Sequence, residues 1–211
     1  MSQMLGRALW LVVAAVWMVG CGGSQVSPVT RSLLPHSEAP QVAELAISRR
    51  NEPYLVSGRT VAELSRSMRA HASANWPDPQ AVGMTVSTIP VAGICQEYSD
   101  GGGLRDATIS LSLVVHLPEW QEHDQAPKAL QRSWDRFLKA LTAHEEGHVE
   151  ISIEHATALR NELAMLTPEP SCQELTAKFQ DRANLAQARM DRAQAEYDDK
   201  TQHGIKQGCV L

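Results

Sequence analysis

Between Ala107 and Leu117 apolar and polar residues alternate, with Ile109, Leu111, Leu113 and Val115 separated by Ser110, Ser112 and Val114. A period of two buries one face of a strand, so this stretch predicts a strand that Pro118 ends. From Pro127 the period lengthens: Leu130, Trp134, Phe137, Leu138, Leu141, His148, Ile151, Leu159 and Leu163 recur at three or four. That stripe predicts an amphipathic helix, or two abutting ones, running to about Leu166. Thr167-Pro168-Glu169-Pro170-Ser171 breaks it, and Ser171 with Glu174 forms a capping box for a last helix reaching about Asp198. Upstream, Tyr54-Leu55-Val56 reads as a short strand and Gly58 as a turn. Thr60, with Glu63 as capping-box partner, starts a helix through Leu64, Met68 and about Ala72 that Pro77 and Pro79 stop. Gly83 to Cys95 reads as one more extended stretch, and Gly101-Gly102-Gly103 as a turn or hairpin loop. The expected class is α+β: a small antiparallel sheet packed on helices, the last two forming an antiparallel hairpin about Pro168 to Pro170.

The first residues follow a different pattern. Arg7 precedes an apolar run from Ala8 to Val19, about twelve residues against the ~20 that a membrane span needs, so the run has signal-peptide dimensions. Met18-Val19-Gly20-Cys21 resembles the lipobox of bacterial lipoproteins, in which the cysteine takes the lipid. The expectation is a leader over residues 1–21 with Cys21 as the lipidation site, a Gly-, Ser-, Thr- and Pro-rich tether over 22–45, and one domain over 46–211. Such a chain is exported and lipid-anchored at the bacterial cell envelope, facing the periplasm or on the outer membrane. Cys95, Cys172 and Cys209 remain, an odd number for an oxidising compartment. Cys95 at the end of an extended segment and Cys172 in a Pro-rich turn are the favoured disulfide, leaving Cys209 free. The net charge of -5, with both signs dispersed and no basic patch, argues against nucleic acid as a partner.

The candidate chemistry sits on the long helix, at His144-Glu145-Glu146-Gly147-His148. Positions i and i+4 share a helix face about 6 Å apart along the axis, so both imidazoles can reach one tetrahedral zinc. Glu145 stands beside the first ligand, where it can act as general base on a zinc-activated water. Gly147 costs the helix about 1 kcal/mol relative to Ala and suggests close approach of another group. A catalytic zinc needs a third protein ligand and an open position. His155 returns to nearly the same face but lies roughly 10 Å along the axis past His148, so it is discounted as a ligand. An antiparallel hairpin instead brings the segment from Glu196 to Gly204 over the zinc. His203 is the chosen third ligand, with Asp198 or Glu196 as replacements. Tyr197 is a candidate donor to the developing oxyanion, or a half-buried tyrosine at a helix end.

The run Glu-Pro-Tyr-Leu-Val-Ser-Gly-Arg-Thr-Val-Ala-Glu-Leu from Glu52, Leu-Pro-Glu-Trp from Leu117, Trp134 through His148, and the closing Tyr197-Asp198, Thr201 and His203-Gly204 resemble a bacterial domain-of-unknown-function family. That family is described as predicted secreted zinc-dependent proteases, and the likeness covers about residues 50 to 207. It implies a zincin-like fold and carries over His144, Glu145 and His148. Glu146 stands where glutamine is common in the family. The expected activity is a zinc-dependent peptidase of the cell envelope, acting on a peptide or protein substrate, with the strand from Ala107 to Leu117 offered for main-chain pairing. The alternative is a lipoprotein binding or scaffolding module with a structural or vestigial zinc, for instance with Cys209 as a fourth ligand.

Overall fold

The computed structural model describes residues 42–211. The expected leader, Cys21 and the tether as far as residue 41 lie outside the described residues. Strand β1 (Val42–Asn51) already occupies the last part of the expected tether. It is followed by β2 (Tyr54–Val56), α1 (Val61–Asn75), β3 (Met84–Thr88), β4 (Val91–Tyr98), β5 (Gly101–His116), β6 (Pro118–Trp120), α2 (Lys128–Ala164) and α3 (Cys172–Thr201).

β5 is the spine of the main sheet. β1 runs parallel along one side, from Val42 opposite Asp106 to Asn51 opposite Val115. β3 and β4 share its other side, antiparallel and end to end. The sheet is therefore mixed, where alternation alone suggested an antiparallel one. The parallel pairing continues past both strands, as Glu52 and Tyr54 donate to the carbonyls of Val115 and Leu117 and β2 then pairs parallel with β6.

Two local expectations are corrected. The stretch from Gly83 to Cys95 splits into β3 and β4 at Ile89-Pro90, where the Pro90 carbonyl accepts from the Ser110 amide at 3.0 Å. The three glycines are not the turn but the start of β5, opposite Gln96, Glu97 and Tyr98. Their reason is close approach: a Cβ at Gly101 or Gly102 would collide with the backbone of Glu169 or Cys172, which bridges onto the strand there. The disulfide between Cys95 and Cys172 fastens the same spot.

α2 is one continuous helix of 37 residues, about 55 Å long at 1.5 Å per residue. Its N-terminal half packs through Trp134, Phe137 and Leu141 with Tyr54, Val56, Leu64, Met68 and Trp120. Its C-terminal half meets the inward face of β5 through Leu159 and Leu163, with Ile109, Leu175 and Phe179 alongside. The five residues from His144 to His148 fall between these two cores. α1 and α3 start as the caps predict, with Thr60 Oγ1 accepting from the Glu63 amide and Ser171 Oγ from the Glu174 amide. Among the described residues no helix is long and apolar enough to cross a membrane.

Candidate metal centre

α2 and α3 run antiparallel past each other, and Asp198 on α3 comes to rest against the two histidines one turn apart on α2. Its Oδ1 lies 3.3 Å from His144 Nε2 and 3.1 Å from His148 Nε2, and the two Nε2 atoms are 3.3 Å apart. These three side chains each place a donor atom within 4.8 Å of the others. Asp198, expected only as a replacement, thus takes the place proposed for His203. α3 stays helical through Thr201, which keeps Asp198 facing α2. His203 follows in a left-handed turn with φ 50°, and its side chain is 64% exposed with Nδ1 3.8 Å from the Asp198 carboxylate. Glu196 is exposed, and neither Glu196 nor His155 joins the cluster. The sulfur of Cys209, a buried free thiol, is not among the clustered donors either. Burial, and secondarily the charge of Glu145, pushes that thiol up to about 11.

The charges in the cluster hold one another. Burial alone would raise the Asp198 carboxyl, but hydrogen bonds with His144 and His148 keep it well below the usual carboxylate range. Burial would lower His148, and the Asp198 carboxylate outweighs it, so the imidazole is raised. Two imidazole nitrogens and a carboxylate oxygen facing one another are an acceptor-rich set that suits a cation. Nitrogen and oxygen donors in this number fit zinc.

Glu145 is 3% exposed, and its Oε2 accepts from Thr85 Oγ1 on β3 at 2.7 Å. Burial raises its carboxyl, against the Thr85 hydrogen bond and the two histidines, which lower it. Its other oxygen lies 2.6 Å from where a Cβ at Gly83 would stand, so only glycine lets β3 begin there. Tyr54 fixes that approach, its hydroxyl donating to the Val82 carbonyl at 2.7 Å. Thr85 and Ser87 thus turn hydroxyls toward α2 from a strand whose alternation is too short to mark an inward polar face as functional. Sequence reasoning missed both, together with Gln194 and Gln207. The glutamines carry no motif signal because their partners lie 46 and 63 residues away.

Two glycines make the packing possible. A Cβ on Gly147 would overlap the Tyr197 hydroxyl, and one on Gly204 would stand 3.1 Å from the His144 ring and 2.5 Å from Cys209 Sγ. Tyr197 itself stacks on His144 at 5.1 Å and donates to the His144 carbonyl at 3.2 Å. The hydroxyl expected to face an oxyanion is instead engaged on the backbone of α2, so Tyr197 is a packing and hydrogen-bonding partner of the first histidine.

The family model for bacterial proteins of unknown function, DUF922, matches residues 51–204. The chain belongs to that family. Comparison with curated proteins and with solved structures finds no match. The DUF922 match spans the site from Tyr54 to Gly204 and stops before Gln207 and Cys209. Its closing residues have distinct jobs here: Tyr197 and Gly204 pack on His144, Asp198 joins the cluster, and Thr201 Oγ1 accepts from the Gly204 amide at 3.3 Å.

Proposed function

We propose that this DUF922 domain is a zinc-dependent peptidase. The observation that carries the reading is the convergence of His144, His148 and Asp198 on one point, with Glu145 next to the first ligand in sequence. Bound zinc would polarise the scissile carbonyl and lower the pKa of a water in the remaining position. Glu145 would serve as the base that accepts a proton from that water and passes it to the leaving amine. Its burial favours the protonated acid that must form midway, while Thr85 and the histidines favour the carboxylate that must act first. Three protein donors leave a position for water, which favours catalysis over the scaffolding alternative, whose closed site needs a fourth.

A peptide substrate is favoured by the strand beside Glu145. β5 is flanked on both sides and cannot add a chain, contrary to the expectation for Ala107 to Leu117. β3 is paired on one side only among the described residues, so its outer edge offers main-chain donors and acceptors next to the general base. Cys95–Cys172 suits the oxidising cell-envelope setting proposed from Met18 to Cys21.

The test is metal content together with hydrolysis. Protein purified without chelator should hold one zinc, and Glu145→Gln should keep it while cleavage of a peptide library falls by at least about 100-fold. Wild-type protein without zinc would sink the proposal.

A further inference from the structure

Behind each metal-facing imidazole stands a glutamine rather than the carboxylate that often orients a zinc-binding histidine. Gln194 Oε1 lies 2.5 Å from His148 Nδ1, and Gln207 Oε1 lies 2.9 Å from His144 Nδ1. An amide can turn over, so its direction has to come from its other end.

For Gln194 the other end settles it. Its Nε2 lies 3.1 Å from the His148 carbonyl, which can only accept. It also lies 3.0 Å from Ser152 Oγ, whose proton is spent on that same carbonyl at 2.9 Å. Both neighbours call for a donor, so the nitrogen must be on that side and the oxygen on the imidazole side. Ser87 on β3 completes the chain by donating to Ser152 at 2.7 Å. Gln207 has no such anchor. Its outer end meets the Tyr197 hydroxyl at 3.0 Å, and a hydroxyl both donates and accepts, so either direction of the amide satisfies it.

We infer that Gln194 is a positioning residue that holds a proton on His148 Nδ1, through hydrogen bonds that end on the backbone carbonyl of His148 itself. An amide oxygen that can only accept keeps Nδ1 protonated, so Nε2, which faces Asp198 at 3.1 Å, is the nitrogen that would give up its proton to a cation. The polarity of α2 itself thereby dictates which nitrogen meets the metal. A neutral amide does this without adding negative charge, so Asp198 remains the one anion of the donor set and the cation keeps more of its Lewis acidity. The inference rests on the zinc reading above.

Two measurements on the full chain separate the inference from that reading. In metal-free wild-type protein, nitrogen–proton correlations of the histidine rings should show a proton on His148 Nδ1. This holds whether or not zinc is ever bound, and a His148 ring protonated on Nε2 alone overturns the inference. In zinc competition, Gln194→Leu should weaken affinity by about 10- to 100-fold. A leucine variant that keeps the wild-type circular dichroism and binds zinc like wild type overturns the positioning role. If that variant fails to fold, the ring-proton measurement on the wild type decides. Failure of wild-type protein to bind zinc strikes the peptidase reading, while the His148 ring still reports on Gln194.

Discussion

At the turn end of the α2–α3 hairpin the contacts are apolar and covalent; at the open end they are polar and converge on two imidazoles. Near the turn, Leu159, Leu163, Leu175 and Phe179 pack on Ile109 of the sheet, and Cys95–Cys172 ties the first residue of α3 to β4. Near the open end, Gln194, Tyr197 and Asp198 replace those side chains with hydrogen bonds to His148, His144 and both. The same two helices thus divide the work by position. One end supplies stability that the other, with its buried charges and close-packed glycine, gives up.

The sharpest way to break this comparison is to damage the stable end and ask whether the metal notices. Leu163, fully buried, should cost about 2–5 kcal/mol when replaced by Ala, through lost burial and the cavity left behind. Denaturant unfolding measures this, and zinc affinity of the folded variant should be unchanged. A parallel fall in affinity would mean that the two ends are mechanically one. Replacing Cys95 and Cys172 together by Ser removes a cross-link across 77 residues of sequence and should cost about 2–4 kcal/mol. Zinc stoichiometry near neutral pH should again hold, because Asp198 lies at the far end of α3.

Gly147→Ala tests the open end. Helix propensity alone predicts a gain of about 1 kcal/mol, but the new Cβ would strike the Tyr197 ring. Overpacking of that kind costs about 1–3 kcal/mol, so net destabilisation is expected. Here zinc affinity should fall with stability, since Tyr197 also stacks on His144 and holds Gln207. A variant more stable than wild type would show that α3 can retreat without harm.

How much of this was legible follows from the range of each signal. The helices announced themselves through apolar spacing and through Thr60 and Ser171, which act on amides three residues away. The pair His144 and His148 with Glu145 is equally local, as is the reason to suspect Gly147. The third donor was narrowed to Glu196, Asp198 or His203 by hairpin logic, but choosing among them required knowing that α3 remains helical to Thr201. That decision depends on packing against α2. The first four residues of β1 fall within the expected tether, because the strand's register with β5 is set by partners more than 60 residues away. The triple glycine misled for a related reason: it serves a backbone approach from Glu169 and Cys172, and nothing nearby in sequence distinguishes that from a turn.

The smallest effect is expected on the outer side of the motif. Glu146, between Glu145 and Gly147, turns away from the cluster and forms a two-pronged pair with Arg49 of β1 at 2.5 and 2.8 Å. The Arg49 hydrogen bond leads in lowering the Glu146 carboxyl, against a burial effect that would raise it. A carboxyl lowered in the folded state contributes stability that is present above its unfolded value. That contribution is lost as pH falls from there through the folded value. Arg49→Ala should therefore destabilise the protein near neutral pH and lose its effect in acid. With the two side chains 36% and 39% exposed, solvent screening holds the loss to below about 1 kcal/mol, and added salt should shrink it further. Zinc affinity should not move. If it does, the sheet edge reaches the metal through the outer face of α2, and the division between the ends of the hairpin must be redrawn as one between the faces of a single helix.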